Sequence, residues 1–307
     1  NRPRRQRHTA GTYTNNGQQT IKTDTGMKLT ELLSGIETLQ RAGAPETDIT
    51  SLGFDSRHAT AGQLFFAVKG SASDGHDYMA QATANGAAAV VCERLPEEPF
   101  PGVAYIVVAD SSAALGTIAS RFYGEPSHKL KLVGVTGTNG KTTTATLLYD
   151  LFRRLGYKAG LISTVVYRID NETLPSTHTT PDAIRLNAML AEMAERGCDY
   201  CFMEVSSHSI VQERIAGLTF AGGIFTNITH ERLDYHGTFA EYIRAKKRFF
   251  DRLLKGAFAL VNADDRNGAV MVQNSAATTY TYALRSFSDF RCRILENTPE
   301  GMLLELD

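Results

Sequence analysis

The stretch that decides the fold is "GVTGTNGKTTT", Gly134 to Thr144. It holds the parts of a phosphate-binding loop, with the triplet Gly140-Lys141-Thr142 and a further glycine at Gly137. Its spacing is displaced. The common pattern places a glycine five residues before the one that precedes lysine. That position is Val135, and Gly134 sits one place too early. The flanks decide the matter. Upstream, "SHKLKLVGVTG" reads as an apolar strand; downstream, "TTTATLLYDLFRRLGY" reads as a helix with leucines and Phe152 at helical spacing. A strand, a glycine-rich turn and a helix are what a phosphate cradle needs. Gly137, Thr138, Asn139 and Gly140 turn backbone N–H groups toward an anion. Lys141 reaches the terminal phosphates, the Thr142 hydroxyl suits Mg²⁺, Thr143 follows in the first turn, and the helix N-terminus favours negative charge. A turn that is merely structural would need none of these together.

Working outward, 307 residues allow two domains, and 42% hydrophobic content with 26 glycines suits an α/β protein. A formal charge of −1 gives no broad pull toward nucleic acid or membrane. No apolar run approaches the roughly 18 residues of a membrane span. Four cysteines are too few for a disulfide framework, and a cytoplasmic protein is the simplest reading. Residues 1–26 are basic and polar, with Ile21 their single large aliphatic residue, and are expected to be a disordered extension.

From Met27 the pattern alternates. "GQLFFAV", "AAVVCE" and "AYIVVAD" read as strands; "YMAQATANGA" and "SAALGTIASRFYGEP" read as helices. Beyond the loop, "KAGLISTVVYRI", "YCFMEVSS", "GGIFTNI" and "AFALVNADD" read as strands, with helices at "AIRLNAMLAEMAERGC" and "FAEYIRAKKRFFDRLL". Strands alternating with helices predict an α/β fold with a mostly parallel sheet and ligands at the strands' C-terminal ends. The expected domains are a small α/β domain over 27–128 and a loop-bearing ATPase domain over 129–307.

The wording "TGTNGKTTT" resembles the Mur ligase family, ATP-dependent amide-forming enzymes of peptidoglycan synthesis. Further stretches carry the same resemblance: "FDSRHATAGQLFFAVKGSASDGHDY", "HTTPD", "MEVSSHSIVQERI" and "TNITHERLDYHGTFAEYIRAKKRFF", together most of Met27–Asp265. The resemblance implies addition of the third stem-peptide residue to a UDP-muramoyl dipeptide through an acyl phosphate. Diaminopimelate is the expected amine and lysine its rival. The implied partners are small molecules alone: the nucleotide sugar, ATP and the amino acid, with a monomer as the default.

Residue roles carry over with the motifs. Glu204 matches a magnesium ligand beside Thr142. Lys246 matches a lysine carbamylated by CO₂, which turns a cation into a further Mg²⁺ ligand. For the adjoining Lys247 and Arg248, a solvated basic helix face is the expectation. His208 is a candidate for orienting a ligand or phosphate. Phe54, Ser56, Ser71, Ala72 and Ser73 match the uridine-nucleotide site. Thr179 and Thr180 match the sugar–peptide loop, and Ser206, Gln212 and Arg214 match residues that hold the dipeptide. An arginine fork suits a carboxylate or phosphate.

Two positions depart from the family pattern. His178 stands where asparagine is frequent, and His230-Glu231-Arg232 replaces Arg-Asp-His. Arg232 cannot ligate a metal, which puts a second metal ion in question and leaves a one-metal mechanism standing; His230 and His236 are the alternatives for that place. Relatives in the family continue for a further C-terminal domain, so this chain is expected to be inactive alone. Cys198 and Cys201 lack the second pair a zinc site needs and are expected to be buried structurally. The alternatives are a folate polyglutamate ligase of the same superfamily, which would lack the Asp55-Ser56-Arg57 segment, and a catalytically silent nucleotide-binding scaffold.

Overall fold

The structure is a computed structural model that describes residues 26–43, 47–70, 73–176, 178–229 and 237–307. Residues 1–25, Ser71, Ala72 and the stretch from His230 to His236, with Arg232, lie outside the described residues. The chain divides into two compact units. The first takes the chain up to Glu125 with Asp182–Met189 and Glu213–Leu218; the second takes Pro126–Pro181, Leu190–Gln212 and Thr219–Asp307.

In the first unit, β1 (Met27–Lys28) pairs antiparallel with β3 (Asp48–Ile49). A five-stranded sheet runs β2 (Gln40–Ala42), β7 (Ala104–Val107), β6 (Ala89–Cys92), β5 (Gln63–Phe66), β4 (Ser51–Gly53). The last four are mutually parallel and β2 is antiparallel to β7. Strands β5, β6 and β7 are wholly buried, which is why they read as unbroken apolar runs. Phe65, Val90 and Tyr105 share one core with Met79 and Ala82 of the Met79–Ala84 helix. The Ser111–Phe122 helix starts at Asp110, whose carboxylate accepts from Ser112 N and Ala113 N at 2.9 Å each. Gly116 lets that helix close on the Glu213–Leu218 segment, since a Cβ there would lie 2.6 Å from Ala216 O.

The second unit is built on a ten-stranded sheet. Its order is β11 (Glu172–Pro175), β10 (Val166–Ile169), β9 (Ala159–Ile162), β12 (Tyr200–Glu204), β8 (Lys131–Thr136), β13 (Gly222–Phe225), β14 (Phe258–Asn262), β15 (Thr278–Ala283), β16 (Phe290–Thr298), β17 (Gly301–Leu306). From β9 through β16 the pairings are parallel, while β9–β10, β10–β11 and β16–β17 are antiparallel. The mostly parallel α/β architecture follows the alternation in sequence. "KAGLISTVVYRI" corrects the reading of one strand: it forms β9 and β10 with a reversal between them. The cause is Ser163, whose N–H and Oγ donate to Val166 O at 3.2 and 2.8 Å and whose Oγ accepts from Val166 N at 3.2 Å. The Lys141–Arg154 helix packs through Ala145 and Tyr149 on Val133, Leu161 and Phe202. Its Leu147, Leu151 and Leu155 face outward, each at least half exposed. Cys198 and Cys201 are free and buried, and burial pushes both thiols up.

Candidate active site

Strand β8 lies in the middle of the sheet with β12 on one side and β13 on the other. The chain visits the β12 side first and then crosses to β13, so the loop at the end of β8 sits at a switch in strand order. In open α/β sheets that crevice is where ligands bind. The Gly137–Gly140 loop is moulded by the residues leaving β13. Asn227 O accepts from Thr138 N at 2.7 Å, Asn227 Oδ1 accepts from Asn139 N at 3.0 Å, and Thr226 Oγ1 donates to Asn139 O at 2.7 Å. A Cβ on Gly137 would lie 1.9 Å from Thr226 Oγ1, so only glycine fits there. Gly140 adopts φ 83° in open space, and the helix begins at Lys141.

Two lysines from distant parts of the chain meet on this loop. Lys141 Nζ donates to Gly137 O at 3.0 Å and Thr138 O at 2.8 Å. Lys246, 1% exposed on the Phe239–Asp251 helix, donates to the same Gly137 O at 2.8 Å. The Lys246 ammonium lies 4.7 Å from the centroid of the Tyr242 ring, in range for a cation–π contact. The Tyr242 hydroxyl in turn lies 3.2 Å from Thr138 Oγ1, which accepts from Thr229 N at 3.0 Å.

Glu204 closes β12 with 1% exposure. Its Oε1 accepts from Thr142 Oγ1 at 2.8 Å and from Thr164 N at 2.7 Å. Thr164 Oγ1 stands 3.2 Å from Oε2 and 3.0 Å from Thr179 Oγ1. The backbone of Glu204 is tied as well: Thr180 Oγ1 donates to its carbonyl at 2.9 Å and accepts from Ser206 N at 3.4 Å. A carboxylate buried this deeply needs such donors to offset lost hydration. Among the described residues no group of three or more His, Cys, Asp or Glu could hold a metal. The paired oxygens of Thr142 and Glu204 nevertheless fit Mg²⁺, a hard ion that takes one or two protein oxygens and completes its shell with phosphates and water.

The sequence-derived site residues fall in two groups. Within the second unit, Lys141, Thr142, Glu204, Lys246, Thr179 and Thr180 come together around the loop. Thr143 is exposed in the first helical turn. Ser206 caps the Ser207–Val211 helix through a bond from Ser209 N at 3.1 Å; His208 lies within that helix and Gln212 ends it. Within the first unit, Ser56 is buried and donates to Gln81 Oε1 at 2.7 Å, next to half-buried Phe54. Ser73 O accepts from Gly70 N at 2.9 Å. Arg214 belongs to the Glu213–Leu218 segment of that unit. Reading motifs missed Thr164, Thr226, Asn227 and Tyr242, which act on the loop or on Glu204 across large sequence separations. Thr226 and Asn227 lie in "TNIT", but nothing local marks them as loop partners.

A parallel sheet with a glycine-rich loop and lysine at the switch point defines a P-loop nucleotide-binding α/β protein. Residues 135–307 match the Mur ligase middle domain and residues 48–123 the Mur ligase family, catalytic domain, so the chain belongs to the Mur ligase family. The UDP-N-acetylmuramoyl-L-alanyl-D-glutamate--2,6-diaminopimelate ligase of Bacteroides thetaiotaomicron is 56% identical over 281 residues, 92% of this chain and 58% of that protein. The ligase of the same name from Geobacillus thermodenitrificans is 41% identical over 288 residues, 91% of this chain and 58% of its own length. This chain therefore spans somewhat over half the length of these relatives. A solved structure of a diaminopimelate ligase of that name superposes with a TM-score of 0.79 at 26% identity, covering 92% of this chain and 57% of that one. The Thermotoga maritima MurF ligase in complex with ADP shares the fold alone, with a TM-score of 0.52 and 21% identity. No helix among the described residues is long and apolar enough to cross a membrane.

Proposed function

We propose that this chain is the nucleotide-sugar and ATP-binding part of a ligase that adds diaminopimelate, as third stem-peptide residue, to UDP-MurNAc-L-Ala-D-Glu. The reaction would phosphorylate the D-Glu carboxylate and let the amine displace phosphate. One observation carries the reading: Lys141 and Lys246 share the Gly137 carbonyl, and Thr142 joins the same helix to buried Glu204. That arrangement gathers cations, a carboxylate and a phosphate cradle within one crevice. The names of relatives 56% identical to this chain support that choice of substrate.

Lys141 would neutralise the transferring phosphate, where charge develops. The Gly137–Gly140 N–H groups would hold the chain of phosphates in place. Thr142 and Glu204 would hold Mg²⁺, which when bound offsets charge on ATP and on the acceptor carboxylate. Lys246 is the residue to carry a carbamate. A carbamylated amine keeps one N–H, so its bond to Gly137 O is compatible with the modification. An unmodified lysine with an ordinary pKa near 10.4 is almost wholly protonated at pH 7, so trapping CO₂ requires a deprotonated amine. Thr179 offers a hydroxyl at the edge of the same site, for the sugar–peptide part of the acceptor. Ser56, Ser73 and the Ser71–Ala72 pair remain the proposed uridine-nucleotide contacts, with Arg214 and Gln212 for the dipeptide. The site is proposed to work in the cytoplasm, on small molecules only, and at the length of the relatives.

The test is substrate-dependent ADP release with UDP-MurNAc-L-Ala-D-Glu and either diaminopimelate or lysine, using the protein at its relatives' length. Turnover with diaminopimelate is expected. Turnover with lysine alone would reassign the amine, and turnover with a folyl acceptor but no nucleotide sugar would overturn the reading. Sustained turnover by residues 1–307 alone would show that no further segment is needed.

A further inference from the structure

The turn between β9 and β10 already has its fastener in Ser163, which makes all three bonds to Val166. The next residue, Thr164, adds nothing to that turn. Its backbone N–H is fixed on Glu204 Oε1 at 2.7 Å, and its exposed side chain stands between Glu204 Oε2 at 3.2 Å and Thr179 Oγ1 at 3.0 Å. A hydroxyl has one hydrogen, and a carboxylate can only accept. Thr164 can therefore donate to Oε2 or to Thr179, never to both. In the first state Thr164 gives up its bond to Thr179, for which it is the donor. The second leaves Oε2 released and sends the Thr179 hydrogen elsewhere.

We propose that Thr164 is a positioning residue, a hydroxyl switch that couples docking of an acceptor oxygen at Thr179 to release of Glu204 Oε2 for a metal ion. The inference rests on the functional reading above, which places the sugar–peptide part of the acceptor at Thr179 and Mg²⁺ at Glu204. An acceptor oxygen of the substrate draws the Thr179 hydrogen. The Thr179 oxygen then accepts from Thr164, and Oε2 loses its partner. Meanwhile the Thr164 N–H holds Oε1 in place, so the carboxylate does not swing. Substrate and metal thereby bind cooperatively, and linkage makes the effect reciprocal. The bridge is a single hydroxyl, and no movement of an element is required.

The probe is Mn²⁺ in the presence of ADP, with bound metal read by electron paramagnetic resonance and without turnover. The protein is used at its relatives' length. In the wild type, UDP-MurNAc-L-Ala-D-Glu is expected to tighten Mn²⁺ binding about fivefold, the lower end of ordinary coupling between sites. Thr164→Val keeps the shape and the N–H but removes the hydroxyl, and is expected to abolish that tightening. Thr164→Ser is expected to retain it. Thr164→Ala also removes the hydroxyl and keeps the N–H, and carries the test if the first variant does not fold. Tightening that persists in Thr164→Val or Thr164→Ala overturns the switch and leaves the functional reading intact. A wild type that binds Mn²⁺ and substrate without coupling does the same. A wild type that binds no Mn²⁺ with ADP overturns both.

Discussion

At the scale of residues, the site depends on one peptide group. Gly137 presents its carbonyl to two ammonium groups while its missing side chain leaves room for Thr226. Gly137→Ala is expected to destabilise the second unit by roughly 1–3 kcal/mol, as other overpacked sites do. It should also abolish ADP binding, which calorimetry and a urea melt would read separately. Lys246→Met removes the amine but keeps much of the apolar stem. On the proposed function, and in the protein at its relatives' length, it is expected to lower ligation by roughly a hundredfold or more, as loss of a placed charge does. Native mass spectrometry should then find no CO₂ adduct, whereas an adduct on the variant would place the carbamate elsewhere. The loop, Lys141 and Thr142 were legible because strand, glycines and helix are adjacent in sequence. Glu204 and Lys246 were legible only through resemblance, since nothing in "FMEVSSH" or "RAKKRFF" states that they converge. Thr164 and Asn227 were not legible. Their roles are fixed by parallel pairing, which sets β9 beside β12 for Thr164 and β13 beside β8 for Asn227.

At the scale of elements, a hydroxyl decided what periodicity could not. "LISTVVYRI" is apolar enough for one strand, yet the fully buried Ser163 side chain folds it back. Ser163→Ala should cost about 1–3 kcal/mol, the usual range for a buried partner left unpaired, read by chemical unfolding. The Lys141–Arg154 helix gives a contrasting expectation. Its spacing suggested apolar residues, but it buries Ala145 and Tyr149 and leaves Leu147 and Leu151 outward. Leu147→Gln is expected to change stability by no more than about 0.5 kcal/mol. The turn after β14 supplies a pH dependence. Asp264 accepts from the backbone N–H groups of Leu284, Arg285 and Ser286, and these bonds hold its carboxyl down at about 2. An unfolded aspartate titrates near 3.9. Between those values the unfolded chain binds more protons, so the contribution is complete above about pH 4 and is lost as pH falls toward 2. The group is exposed, so the effect is modest. Asp264→Asn should flatten that segment of an acid-unfolding profile.

At the scale of the molecule, the α/β class followed from alternation alone, because buried parallel strands show as apolar runs whatever their neighbours. Strand order and the membership of the first unit did not, because both depend on contacts between separated segments. The β16–β17 hairpin shows the limit of pattern reading. Its strands pair in sequence, yet Leu295, Leu303, Leu304 and Leu306 are all exposed by about half or more. Such an apolar surface is expected to make residues 1–307 associate at rising concentration, read by light scattering, and replacing Leu304 and Leu306 by lysine is expected to reduce that association. The first unit has a further implication for biosynthesis. It draws on Asp182–Met189 and Glu213–Leu218 as well as the chain before Glu125. A ribosome delivers polypeptide from the N-terminus, so this unit is not complete until Leu218 has left the exit tunnel. The side of its Ser111–Phe122 helix at Gly116, which approaches Ala216, has no cover until then.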